Sequence, residues 1–179
     1  GLYAALGAIL DPGDEVLLPE PVYDAYVSAV IQLGGTPCPV PATRIDGRFS
    51  WDPCRVADAC HSRTRALLVN SPWNPTGTVL TPAEWASLIE IAERHDLFLI
   101  SDEIYDRLVY GGRTHLSPGS LDSMKDRTIT VNGLSKAFAA TGWRVGYAAA
   151  PGSGGAIVKA MAKLQSQMTS SVTSFLLPA

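Results

Sequence analysis

A chain of 179 residues can build one domain with a buried core, and its 46% hydrophobic and 17% charged residues exclude a disordered polymer. A net charge of −3, a pI near 5.5 and scattered Lys and Arg leave no basic stripe for a nucleic-acid backbone. No apolar run reaches the roughly 18 residues that span a bilayer.

Leu2 to Leu10 is apolar and reads as a helix, stopped by Asp11-Pro12-Gly13-Asp14. Glu15 to Leu18 reads as a short strand ending at Pro19. Tyr23 to Leu33 has helical patterning, with Gly34-Gly35 to end it. Thr36 to Val40 contains Pro37 and Pro39, so it is an edge strand or an extended connection. Asp52 and Pro53 have the form of a cap and first helical residue for a short helix reaching Cys60. The three cysteines, Cys38, Cys54 and Cys60, form no Cys-x-x-Cys pair, which suits structural thiols in a reducing compartment. Cys60-His61 lacks further ligands at zinc spacing, so no metal site is expected.

From Ala66 onward the pattern is regular. Ala66 to Val69 is a continuous apolar run of strand length, as in a strand buried on both faces. Thr81, Pro82 and Glu84 have the form of a capping box opening a helix that should bury Trp85, Leu88, Ile89 and Ala92. Glu90 and Arg94 are spaced to pair on its outer face. Leu97 to Ile100, Thr128 to Val131 and Val145 to Ala149 read as further strands, and Ala156 to Gln167 as a helix. Strands alternating with helices predict a three-layer α/β/α fold with a mostly parallel central sheet. The terminal segments, Gly1-Leu2-Tyr3 and Phe175 to Ala179, read as interior helical sequence, so residues 1–179 read as one domain cut from a longer protein.

Ligands of such sheets gather just past the carboxyl ends of the strands. Asn70-Ser71-Pro72-Trp73-Asn74, Ser101-Asp102 and Asn132-Gly133-Leu134-Ser135-Lys136 each follow a predicted strand, so three strand ends should meet at one site. Lys136, directly after a buried strand, should be partly desolvated, and a neutral lysine amine forms imines. Arg144, entering a strand between Gly142 and Gly146, can turn its fork toward a phosphate. Each residue also has an ordinary reading on its own: a solvated lysine, a salt-bridge arginine, a core Tyr23, a turn Asn74, a helix-capping Asp102.

Together the motifs resemble the class I/II aminotransferases, the fold type I enzymes that use pyridoxal phosphate (PLP). Gly133-Leu134-Ser135-Lys136, followed by Gly142-Trp143-Arg144-Val145-Gly146, resembles the cofactor-attachment signature. Asn74-Pro75-Thr76-Gly77, Asp102-Glu103-Ile104-Tyr105 and Pro21-Val22-Tyr23-Asp24-Ala25-Tyr26 resemble three more family motifs, in family order. The resemblance runs through the whole chain and is nearest to bacterial aspartate and broad-specificity aminotransferases. It implies that this is the cofactor-binding large domain, with Lys136 holding the cofactor as a Schiff base and carrying the substrate proton. Asp102 would face the pyridine nitrogen, Asn74 and Tyr105 the phenolic oxygen, Tyr23 the ring face, and Arg144 with Ser135 the phosphate. The reaction implied moves an amino group between an amino acid and a 2-oxo acid, in a cytoplasmic homodimer.

Gly133 stands where many relatives carry serine, so one phosphate hydrogen bond is lost or falls to Ser135. In the family the phosphate-binding loop lies before the segment matched here. The arginine for the substrate carboxylate lies in a small domain beyond it, and the partner subunit adds a tyrosine. A carbon–sulfur lyase, a decarboxylase, or the effector domain of a PLP-sensing transcription regulator would share the same cofactor motifs.

Overall fold

The computed structural model describes residues 1–152 and 155–176. Its frame is a six-stranded sheet whose strands are β1 (Glu15–Glu20), β2 (Thr36–Pro41), β5 (Thr64–Asn70), β6 (Phe98–Asp102), β7 (Thr128–Gly133) and β8 (Gly146–Ala149). They lie in the order β2-β1-β5-β6-β7-β8, parallel except for β8, which runs antiparallel to β7. A separate hairpin is formed by β3 (Thr43–Ile45) and β4 (Arg48–Ser50). The helices are α1 (Leu2–Gly7), α2 (Asp24–Gln32), α3 (Pro53–Asp58), α4 (Pro82–Arg94), α5 (Leu134–Ala137) and α6 (Ala156–Met168). The predicted three-layer α/β fold is present.

Alternation along the strands builds the layers. Val16, Leu18, Ala66, Leu68, Ile100 and Ile129 point to one face, where they meet Ala5 and Leu6 of α1, Tyr26 and Val30 of α2 and Met161 of α6. Leu17, Leu67, Val69 and Leu99 point the other way, against Val56 of α3 and Trp85, Leu88, Ile91 and Ala92 of α4. Burying one such leucine contributes about 2 kcal/mol, so the two apolar faces together fix which side each helix covers. Ile91 takes the core position expected for Ile89, which is only half-buried beside it. Thr81 and Glu84 close the capping box at α4, and Glu90 pairs with Arg94. Asp52 Oδ1 accepts the Cys54 N–H at 3.0 Å and opens α3.

The prolines sort the edge. In β2 the amides of Thr36, Cys38 and Val40 share the side facing β1, as the Thr36 N–H to Asp14 carbonyl bond of 2.8 Å shows. Pro37, Pro39 and Pro41 fall on the opposite, unpaired side, where a missing donor costs nothing. The same logic corrects the end of β1, which runs through Pro19 to Glu20. Pro19 lies on the β5 side, but β5 pairs with β1 only from Glu15 to Leu17, so no donor is needed there. The β3–β4 hairpin was not foreseen, because each strand is only three residues long. Among the described residues no helix is long and apolar enough to cross a membrane, and no group of three or more His, Cys, Asp or Glu is placed to hold a metal. Ser174 to Leu176 is a single 3₁₀ turn, and the expected helical continuation at Leu177 to Ala179 lies outside the described residues.

Candidate active site

Parallel pairing brings three strand ends side by side, with Asn70 of β5 opposite Asp102 of β6 and Asp102 opposite Val131 of β7. Past them opens a cavity of about 410 Å³. Tyr23, Asn74, Asp102, Tyr105, Ser135, Lys136 and Arg144 all line it, so every site residue expected from sequence is brought to one place. They come from five separate stretches of chain, and only the sheet register gathers them.

Asp102 ends β6 with its carboxylate partly buried. One oxygen accepts the Tyr26 hydroxyl at 2.6 Å and the other the Ile104 N–H at 3.1 Å. Burial pushes the carboxyl above its ordinary range, and those two hydrogen bonds pull back against it. The Tyr26 phenol, buried and beside that carboxylate, is pushed far up and stays a donor. Burial, Asp102 and Tyr23 likewise raise Tyr105. Tyr23 caps α2, and its ring meets that of Tyr26 edge to face, with centroids 5.4 Å apart. It is 46% exposed, an open aromatic face at the cavity rather than a core residue.

Lys136 sits in α5, one short turn past β7, with its Nζ 5.8 Å from the centre of the Tyr105 ring. It is exposed rather than partly desolvated, because the cavity is open on its side. Arg144 does not begin a strand as expected. It stands just before β8 in the left-handed conformation, with φ 55° and ψ 41°. A non-glycine residue there costs on the order of 1 kcal/mol, a kind of strain that gathers at functional sites. Its Nη1 donates to the Thr141 carbonyl at 2.9 Å, and no carboxylate lies within ion-pair reach among the described residues. At Gly133 an added Cβ would meet the Val145 carbonyl oxygen at 2.8 Å. A serine could not stand there without moving β8, which explains the glycine at that position.

Tyr26 and Asn70 were not singled out from sequence. Tyr26 follows Tyr23 by most of a helical turn, a spacing that could have placed both on one side of α2. Asn70 closes an apolar run, and its role shows only once β5 and β6 are paired.

The family model for aminotransferase class I and II matches residues 1–179. The probable aspartate/prephenate aminotransferase of Thermus aquaticus is 49% identical over 95% of this chain and 43% of its own length. The aspartate aminotransferase of Bacillus subtilis is 41% identical over 97% of this chain and 43% of its own length. Among solved structures, N-succinyldiaminopimelate aminotransferase from Mycobacterium tuberculosis superposes with a TM-score of 0.91 at 37% identity, over 96% of this chain and 44% of that one. The chain belongs to the class I and II aminotransferase family. It spans about 43% of the length of the curated relatives it matches.

Proposed function

We propose that this chain is the cofactor-binding large domain of a PLP-dependent aminotransferase that moves an amino group between an amino acid and a 2-oxo acid. The observation that carries this reading is the convergence of Lys136, Asp102, Asn74, Tyr105, Tyr23, Ser135 and Arg144 on one cavity. The donor set fits the cofactor. Arg144 has a guanidinium without a carboxylate partner among the described residues, suited to a phosphate. Asp102 is an acceptor at the cavity, suited to a protonated ring nitrogen.

PLP, when bound, supplies an electron sink for the charge left on the substrate Cα. The protein's residues do the rest. Lys136 would hold the cofactor through its Nζ, and that amine, once free, would move the proton from and back to the substrate Cα. Asp102 would hold the proton on the ring nitrogen, and Tyr26 donates to that carboxylate. Asn74 and Tyr105 would donate to the phenolic oxygen, Tyr23 would cover the ring face, and Arg144 with Ser135 would hold the phosphate. The names of the relatives support transamination above the lyase, decarboxylase and regulator readings. Cytoplasmic location and a homodimer belong to the same proposal. The free thiols of Cys38, Cys54 and Cys60 are consistent with a reducing compartment.

Incubation with PLP, borohydride reduction and peptide mapping tests the assignment. A label confined to Lys136, lost together with transamination in Lys136→Ala of the complete protein, is the expected result. A label spread over surface lysines, or an alanine variant with wild-type turnover, would overturn it.

A further inference from the structure

Asn70, the last residue of β5, is 1% exposed and uses both ends of its side-chain amide. Its Nδ2 donates to the main-chain carbonyl of Asp102 at 2.8 Å, and its Oδ1 accepts the main-chain N–H of Asn74 at 2.7 Å. The amide can face only one way, since a carbonyl only accepts and an N–H only donates. We infer that Asn70 is a positioning residue, a bridge that fixes Asn74 relative to Asp102 before any cofactor arrives. The inference rests on the PLP reading, in which Asp102 would take the ring nitrogen and Asn74 the phenolic oxygen of one ring.

Both partners are themselves pinned. The Asp102 carbonyl also accepts the Ser71 N–H at 3.3 Å, which ties the end of β6 to β5 twice. On the Asn74 side, the Trp73 N–H donates to the Thr78 carbonyl at 2.8 Å and the Gly77 N–H to the Trp73 carbonyl at 2.7 Å. The Trp73 indole N–H reaches the Pro21 carbonyl at 3.0 Å, on the stretch that leads to Tyr23. The turn bearing Asn74 is therefore closed on itself, and the Asn70 amide sets where it sits above β6. A buried polar group stripped of its partner loses its hydrogen bond without regaining one from water, so the two-ended arrangement resists drift.

The test uses the complete PLP-loaded protein and follows the pH midpoint of the bound cofactor's visible absorbance. Asn74 and the proton on the Lys136 nitrogen compete for the same phenolic oxygen, so weaker donation from Asn74 leaves that proton more firmly held. Asn70→Ala should raise the midpoint by roughly half a pH unit or more, and Asn70→Ser by less. Asn74→Ala should also raise it, and the double variant should move little further, as residues acting through one contact do. A lowered melting temperature with an unmoved midpoint, or shifts that add in full, would overturn the inference. A second measurement needs no variant. In the cofactor-free wild-type protein the Asn74 amide should exchange on the order of 100-fold slower than an open chain, and exchange at the open-chain rate would also overturn it. Wild-type protein that takes up no PLP overturns the function and this inference with it; uptake with an unmoved midpoint overturns this inference alone.

Discussion

At Asp102 stability and chemistry pull in opposite directions. Burial raises the folded carboxyl above its unfolded value, so its favourable contribution is present at low pH and lost as pH rises through the folded value. In the cofactor-free protein burial disfavours the charged form of this side chain, and the donors of Tyr26 and Ile104 favour it. Asparagine keeps an acceptor for one of those donors and carries no charge. Asp102→Asn should therefore raise the melting temperature of the cofactor-free protein at pH 7 and leave it nearly unchanged near pH 3, while transamination is lost. Scanning calorimetry at the two pH values decides it: a variant less stable at pH 7 would mean that the hydrogen bonds outweigh burial. The motif around Asp102 was legible in sequence, because the residue directly follows an apolar strand. Tyr26 behind it was not, since its partner lies 76 positions away.

The β3–β4 hairpin braces the turn that carries Asn74, and one ion pair ties it to the rest of the fold. Arg48 of β4 meets Glu84 of α4 at 2.5 Å and donates to the Val79 carbonyl at 2.9 Å, while Thr78 Oγ1 donates to the Phe49 carbonyl at 3.1 Å. Phe49 also packs edge to face on Trp73. Burial alone would push the Glu84 carboxyl up, but hydrogen bonds from Arg48, Thr81 and Ser50 hold it at about 2, below its ordinary 4.5. A depressed carboxyl stabilises above its unfolded value, and that contribution is lost as pH falls from 4.5 toward 2. Glu84→Gln should lower stability at pH 7 by roughly 1 kcal/mol, allowing for the partial exposure of the pair, and flatten the acid branch of the stability curve over that window. A wild-type acid branch in the variant would show that Glu84 contributes nothing there. The capping half of Glu84's role was visible in Thr81-Pro82-Ala83-Glu84, which obeys a local rule. Its bond to Arg48, 36 residues earlier, obeys none.

Over the whole molecule, apolar surface is unevenly covered. Phe138, Trp143, Tyr147 and Phe175 are 68, 48, 56 and 61% exposed, all in the stretch from α5 onward. Trp143 and Phe175 pack edge to face, with centroids 6.2 Å apart, and still leave much of their area open. Large exposed apolar groups drive association in water. Residues 1–179 expressed alone should bind a hydrophobic dye and sediment as associated species at micromolar concentration; a monomer with no dye signal would contradict this.

The sequence by itself determined the strands of the main sheet, the main helices and the caps of α3 and α4, because burial patterns, prolines and capping residues act over a few positions. It also marked the residues that come to line the cavity, since each motif keeps its chemistry within a short run. The tertiary structure decided what no local rule reaches. The sheet order sets Asn70 beside Asp102, the antiparallel β8 leaves no room for a side chain at Gly133, and the left-handed Arg144 reaches the cavity from outside any strand. Those outcomes depend on groups far apart in the chain competing for the same buried space and the same hydrogen-bond partners, a competition that exists only once the chain is folded.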